Sequence, residues 1–339
     1  VDARRKAGHD ESNGCIMTSA EHDLIARYFR PLATAPGALG LIDDAALLAS
    51  SPDDLVVTTD AVVEGVHFLP DDPPDAVACK ALRVNLSDLA AKGATPAGFL
   101  LTLALREARE AWLAPFAHAL GEDAAAFGCP LLGGDTVSTP GPAMISITAF
   151  GRVPPGRMVR RGGARPGDRI AVTGTIGDAA LGLLLLKGGI VPEALDASAR
   201  AFLTGRYRVP QPRNALAVAI RDHANAAMDV SDGLAGDLAK LCAASGVSAE
   251  VDMAAVPLSE PARAALGFAD METVVSGGDD YEVLCAIPEN RWTAFLEAAP
   301  RAGVPVTAIG RITAGEGPPR FLDAQGRAIA LKRLSYSHF

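Results

Sequence analysis

The 339-residue chain has no basic run: 40 Asp and Glu outweigh 31 Lys and Arg, leaving a formal net charge of −9. That balance argues against nucleic acid or an anionic membrane surface as a partner, because both are held by clustered cations. The five cysteines, Cys15, Cys79, Cys129, Cys242 and Cys285, are scattered and include no CxxC pair. They speak against a zinc site and for reduced core residues of a cytoplasmic protein. No apolar run reaches the length of a membrane span, and the first residues lack the apolar centre of a signal peptide. A GxxxxGKS/T loop, an HRD loop and an HExxH helix are all missing, so a nucleotide would be held by neither the P-loop nor the protein-kinase route.

Apolar residues make up 49% of the chain and charged residues 21%, the composition of a well-buried globular enzyme. The length exceeds that of a usual single core and predicts two domains. Residues 1–17 are polar and aperiodic up to the start of "TSAEHDLIARYF", a capped amphipathic helix signal, and are expected to form a disordered extension. Beyond them strands and helices alternate. "LVVTTDAVV", "FLLTLAL" and "AMISITAFGRV" read as strands, "AVACKALRVNLSDLAAKG" and "EAWLAPFAHALGEDAAAFG" as helices.

Segment 153–169, rich in Pro, Gly and Arg, has no apolar period and separates a domain at 18–152 from one at 153–339. The second series opens with "IAVTGTIGDAALGLLLL", a strand, glycine turn and helix, and closes with "YEVLCAI" and "VPVTAIGRI". The expected fold class is α+β, built of two mixed α/β domains. "NLSDLAAKG" before "GGDT" and "DVSDGLAGDLAK" before "GGDD" are equally spaced, which raises an internal duplication beside a chance match.

Asp43 and Asp44 stand in an apolar run, "LGLIDDAALLAS", where an unpaired buried charge costs several kcal/mol. Asp60, Asp88, Asp135, Asp229, Asp232, Asp279 and Asp280 share the habit of sitting beside small residues at the end of an apolar strand or the start of a helix. Each alone also reads as a helix cap or turn. As a set they suit Mg²⁺, which takes one or two carboxylates per ion and completes its shell with water and phosphate. Ca²⁺ has no EF-hand spacing here. Asn85, Asp88 and Lys92 share a helix face, either a solvated side or a ligand face. "VTGTIGDAALGL" offers amides at a helix N-terminus to a phosphate, or is an ordinary α/β connection.

The ordered set "DDAALL", "TTDAVVEGVHF", "KALRVNLSDLAAKGATP", "LLGGDT", "RGGARPGDRIAVTGTIGDAALGL", "MDVSDGLAGDL", "SGGDDYEVL" and "SYSHF" resembles thiamine-monophosphate kinase, of the aminoimidazole ribonucleotide synthetase-like superfamily. The resemblance runs from about Thr18 to Phe339. It implies transfer of the γ-phosphoryl of ATP to thiamine phosphate, with several Mg²⁺ ions, in a homodimer whose N-terminal sheets pair. The first domain would then bind ATP and Mg²⁺ and dimerise, and the second would complete the active site.

By the same resemblance Asp44, Thr58, Thr59, Asp60, Asp88, Asp135, Asp229 and Asp232 would hold metal. Gly134, Asp135, Arg161 and Ser231 would hold the nucleotide, with Arg161 in an electrostatic role, and His67, Asp279 and Tyr336 would meet the substrate. No general base is needed, since a phosphate oxygen is ionised at neutral pH and catalysis reduces to screening and positioning. His67 also reads as a satisfied strand-end histidine, and Arg160 stands beside Arg161 as an equal cation.

Three positions depart from the family pattern: Ile42 where it has Gly, Asp279 where it has Glu, and Arg333 where it has an aromatic residue, leaving Tyr336 as the stand-in. Sister enzymes of the superfamily are disfavoured. A selenophosphate synthetase needs a reactive N-terminal Cys or selenocysteine, for which only Cys15 is available, and a hydrogenase-maturation protein needs a C-terminal Cys, where this chain has Phe339. A thiamine-phosphate or nucleotide binder without turnover is the alternative from another class.

Overall fold

The computed structural model describes residues 20–190 and 195–335, so Cys15 and Tyr336 lie outside the described residues. Period-two alternation builds the first sheet. In β1 (Asp54–Val63) Val56 and Val62 are buried, while Leu55, Val57 and Thr59 on the other face are exposed. With β2 (Thr95–Leu105), β3 (Leu131–Ser138) and β4 (Met144–Val153) it forms a four-stranded sheet in the order β1-β4-β2-β3, in which only β2 and β3 run parallel. "LLGGDT", whose glycines suggest a turn, lies inside β3.

One face of this sheet packs on α2 (Pro74–Ala91) and α3 (Glu110–Ala126), which follow the short α1 (Ala20–Leu24), around Leu82, Leu86, Phe99, Leu103, Phe116 and Ile147. Among the described residues the opposite face is met by parts of segment 25–49, which line a cavity beside β3 and, at Ala49, accept from the Arg152 guanidinium at 2.9 Å. Leu55, Val57, Leu100 and Val137 stay exposed there.

The second sheet has seven strands in the order β11-β10-β7-β9-β5-β8-β6. They are β5 (Arg169–Thr173), β6 (Ala226–Val230), β7 (Ser248–Asp252), β8 (Glu282–Ile287), β9 (Val306–Thr313), β10 (Arg320–Leu322) and β11 (Ala328–Ile329). Alternate residues of the central strands feed two cores. Ile170, Val172, Met228 and Leu284 pack with α4 (Asp178–Leu186), α5 (Ala197–Arg208), α7 (Leu234–Ser245), α8 (Glu260–Ala265) and α9 (Met271–Ser276). Ala171, Ala227, Val283 and Cys285 pack with α6 (Ala217–His223) and α10 (Glu289–Ala298). A strand covered on both faces reads as a nearly continuous apolar run, and β8, "VLCAI" after the ion-paired Glu282, is buried throughout.

Helix α2 joins the two halves. Its buried positions go all the way round, because one side lies on the first sheet and the other on α5, α6, β6 and β8. The stripe of Asn85, Asp88 and Lys92, read as either a solvated side or a ligand face, is therefore not a solvated side: Asn85 is fully buried and donates to the Ala81 carbonyl at 3.1 Å. Segment 153–169 is likewise no free tether. Val159 N–H donates to the Lys92 carbonyl at 3.1 Å, and Ala227 N–H to the Arg160 carbonyl at 3.0 Å. The two equally spaced Asp motifs have no common structural setting, since Asp135 sits in β3 and Asp279 in a loop. Among the described residues no helix is long and apolar enough to cross a membrane.

Candidate active site

At the junction of α2, β1 and the end of β6, four aspartates from different elements face one another. Thr58 and Asp60 alternate with the exposed face of β1, so they point toward α2, where the Thr58 hydroxyl donates to Asp88. Asp60 keeps an edge on solvent, yet burial on the protein side, then Asp88 and then Asp232 push its pKa up to about 6. Asp229, buried at the end of β6, is raised well above the usual carboxylate range by burial, then by Asp88, Asp237 and Asp60, against a lowering hydrogen bond from Ser87. Burial is the larger cause at both Asp60 and Asp229, and the neighbouring carboxylates add to it.

The nearest cations are Lys92, Arg161 and Lys240. Lys92 donates to the Ala227 carbonyl at 2.8 Å. Burial lowers its pKa, Asp229 and Asp88 oppose that, and Arg161 adds to the lowering, which places Arg161 beside this group with its side chain exposed. Lys240 binds Asp232 at 2.5 Å and Asp237 at 2.8 Å. Burial works to lower the Lys240 pKa, but the two carboxylates outweigh it and the net shift is upward.

The loop "VSDG" is shaped by the first turn of α7, where Asp237 accepts from Ser231 N–H at 3.0 Å and Asp232 N–H at 2.9 Å. Gly233 follows at φ 110°, and a Cβ there would lie 2.7 Å from the Ser276 carbonyl carbon, so only glycine fits. The "GGDDY" loop docks on it: Asp279 N–H donates to Ser231 O and Tyr281 N–H to Val230 O, both at 2.8 Å. Asp279 and Tyr281 adopt left-handed backbone, φ 72° and 51°, unusual for side-chain-bearing residues. Burial and then Asp279, Asp60 and Asp229 raise the Tyr281 phenol well above its usual range, so its ring end lies among the carboxylates.

The α4 N-terminus, offered by the sequence as a phosphate cradle or an ordinary connection, already holds a carboxyl group of the chain itself. Asp280 accepts from Gly177 N–H at 2.8 Å and Ala179 N–H at 3.4 Å. His67 lies in the turn after β1, where its Nδ1 accepts from Val63 N–H at 3.1 Å, so neutral His67 carries its proton on Nε2.

The remaining candidates lie on the opposite face of the first sheet. Cross-strand registry aligns Thr59, Thr148, Leu100 and Gly133, and next to them Ala61, Ser146, Thr102 and Asp135. The Thr59 hydroxyl donates to the Ile147 carbonyl and accepts from Thr148, both at 3.1 Å, so its side chain is turned away from Asp88. Asp43, Asp44, Gly134 and Asp135 line a cavity of about 670 Å³ on this face. The paired aspartates that sequence context suggested were buried are both exposed, on the loop leading to β1. Ile42 has ordinary backbone (φ −114°) and a side chain 79% exposed, so a residue larger than glycine is accommodated without crowding.

At Gly134 a Cβ would fall 1.9 Å from the Leu101 carbonyl oxygen, inside the β2–β3 pair. Gly134→Ala is expected to destabilise the chain by about 1–3 kcal/mol through this overlap, read as a lower urea midpoint, and to disturb Asp135 with it.

Sequence reading passed over Lys80, Ser87, Asp237, Lys240 and the phenol of Tyr281. Asp237 and Lys240 follow "VSDG" at helical spacing and were accessible to a capping argument; Lys80, fully buried in an apolar helix, carried no local signal.

Residues 42–153 match the family described as AIR synthase related protein, N-terminal domain, and residues 165–321 match its C-terminal domain. The chain is 47% identical to a thiamine-monophosphate kinase of Caulobacter vibrioides, with 98% of this chain and 94% of the relative aligned. A crystal structure of thiamine-monophosphate kinase from Stenotrophomonas maltophilia K279a superposes with a TM-score of 0.81 at 40% identity, covering 91% of this chain and 98% of that one. A further relative, AaThiL, solved in complex with AMPPCP and TMP, superposes with a TM-score of 0.74 at 32% identity, covering 88% and 91%. Two domain matches in the observed order and near full-length identity leave one assignment: the chain belongs to the AIR synthase related proteins and, within them, to the thiamine-monophosphate kinase family.

Proposed function

We propose that the protein transfers the γ-phosphoryl of ATP to thiamine phosphate, giving thiamine diphosphate, with Mg²⁺ held by its aspartates. The observation that carries this reading is the convergence of Asp60, Asp88, Asp229 and Asp232 from separate elements at one junction. The relative solved with AMPPCP and TMP supports the choice of substrates. Among the described residues no three His, Cys, Asp or Glu side chains form a ready-made cage. Mg²⁺ does not need one, because it takes one or two carboxylates and keeps water and substrate phosphates. The hard oxygen donors present therefore fit it.

When bound, Mg²⁺ screens the phosphates and offsets charge developing in transfer. We assign Asp60, Asp88, Asp229 and Asp232, with Thr58, to hold it on one side, and Asp44, Asp135 and Thr59 on the other side of the sheet. Gly134, Asp135, Ser231 and the exposed guanidinium of Arg161 receive the nucleotide. His67 and Asp279, with Tyr336 beyond the described residues, receive thiamine phosphate. The acceptor oxygen is already ionised, so the chain supplies alignment and charge balance in place of a general base.

The open sheet face bearing Leu55, Val57, Leu100 and Val137 suits pairing with a second copy, which would close the cavity beside Asp135. The domain limit at 152/153 and a cytoplasmic location belong to the same reading. Buried free thiols at Cys129, Cys242 and Cys285, all with pKa pushed up by burial, suit a reducing compartment.

The test is to mix purified protein with ATP, Mg²⁺ and thiamine phosphate and separate the thiamine species by chromatography. Thiamine diphosphate is expected only with Mg²⁺, lost on adding excess EDTA and recovered when Mg²⁺ is restored. ATP consumption without diphosphate would overturn the reading.

A further inference from the structure

Lys80 is a charged side chain only 2% exposed, on a helix whose buried neighbours are mostly apolar. Its ammonium donates to the His67 carbonyl at 2.7 Å and to Asp279 Oδ2 at 3.3 Å, and it lies 3.8 Å from the centre of the Tyr207 ring. The Tyr207 hydroxyl donates to the same His67 carbonyl at 3.2 Å. Burying an ammonium is costly unless its donors are met, and an apolar side chain of similar length would fill the space without that cost. Packing alone therefore does not account for a lysine here.

The partners do. They come from the turn after β1, the "GGDDY" loop before β8, and α5, so one ammonium ties segments of both halves of the molecule. Two of them, His67 and Asp279, are the residues assigned above to the acceptor. Asp279 lies between the Lys80 ammonium and the Tyr281 phenol, on a backbone held in the left-handed region.

We propose that Lys80 is a positioning residue for the acceptor site, fixing the His67 main chain and the Asp279 carboxylate relative to each other so that thiamine phosphate, rather than ATP, is selected through it. This rests on the functional reading above. Lys80 also moderates the charge that Asp279 presents to the cationic thiazolium of the acceptor. With aspartate at position 279, whose short side chain has little reach of its own, the carboxylate's placement depends on the backbone and on Lys80.

The experiment compares wild type, Lys80→Met, Asp279→Asn and the double variant, varying thiamine phosphate and ATP separately, with acceptor binding measured by calorimetry. Lys80→Met is expected to raise KM for thiamine phosphate by about tenfold or more and KM for ATP by less than about twofold. The double variant should be no worse than about twofold beyond the weaker single variant, because one interaction is lost either way. If Lys80→Met does not fold, Asp279→Asn must still show the KM split, and Tyr207→Phe, which keeps the ring but removes the second donor to His67, a smaller shift the same way.

KM values that rise together or stay unchanged, or single effects that multiply in the double variant, would overturn the proposal while leaving wild-type turnover and the functional reading standing. A wild-type chain that neither binds nor phosphorylates thiamine phosphate overturns both.

Discussion

Asp88→Asn is expected to lower kcat for phosphoryl transfer by at least about 10³-fold while leaving the chain as stable as wild type or more so. Asp88 is the shared neighbour in the cluster: it contributes to the raised pKa of both Asp60 and Asp229. Asparagine has the same shape and still accepts from Thr58, so the packing of α2 on β1 is kept. The change removes one negative charge from a crowded site, which relieves repulsion in the metal-free chain and weakens the hold on a cation. Activity and stability then move in opposite directions, which general destabilisation cannot produce. Asp232→Asn should act the same way on activity, with less relief because Lys240 already neutralises part of Asp232. Mg²⁺-dependent turnover and thermal melts on the same preparations check both, and full activity in both variants would sink the metal-cluster account.

The largest loss of stability is expected at Glu282. Its carboxylate is fully buried at the start of β8 and accepts from Arg206 at 2.8 Å, from Arg213 Nε at 2.6 Å and from the Thr173 hydroxyl at 2.7 Å. Glu282→Gln keeps the volume but turns an amide donor toward a guanidinium and leaves two arginines without their counter-charge. Breaking a buried pair from one side costs about 3–5 kcal/mol, and urea denaturation should show a loss of that order. A change below about 1 kcal/mol would mean that water or a rearranged side chain takes over the arginines. Because residue 281 precedes β8 directly, activity should fall along with stability, the reverse of the pattern at Asp88.

Much of the architecture was legible because the apolar period is local. "LVVTTDAVV" and "AMISITAFGRV" alternate, and they form β1 and β4 nearly residue for residue. β3 was less legible because Gly133 and Gly134 look like a turn; only the close approach of Leu101 explains why a strand carries glycine there. The candidate site was legible as a set of residue types and only partly as an arrangement. Strand alternation alone would have parted Thr58 from Thr59, whereas the meeting of Asp60 with Asp229 and Asp232 depends on how one half docks on the other. Lys80 was hidden for a related reason: two of its three partners, Asp279 and Tyr207, lie far away in the chain, and its helix does not mark it as charged for a purpose.

The enclosure of α2 on both sides bears on the modularity of the chain. An N-terminal half produced alone would keep its sheet but leave the far flank of α2, with Ser87 and Ala91, facing water. The two halves are therefore not interchangeable building blocks, and recombining either with the other half of a distant homologue requires matching the whole surface of one helix. The same helix bears Asp88 near its end, so whatever loosens the seam between the halves also disperses the carboxylates gathered there.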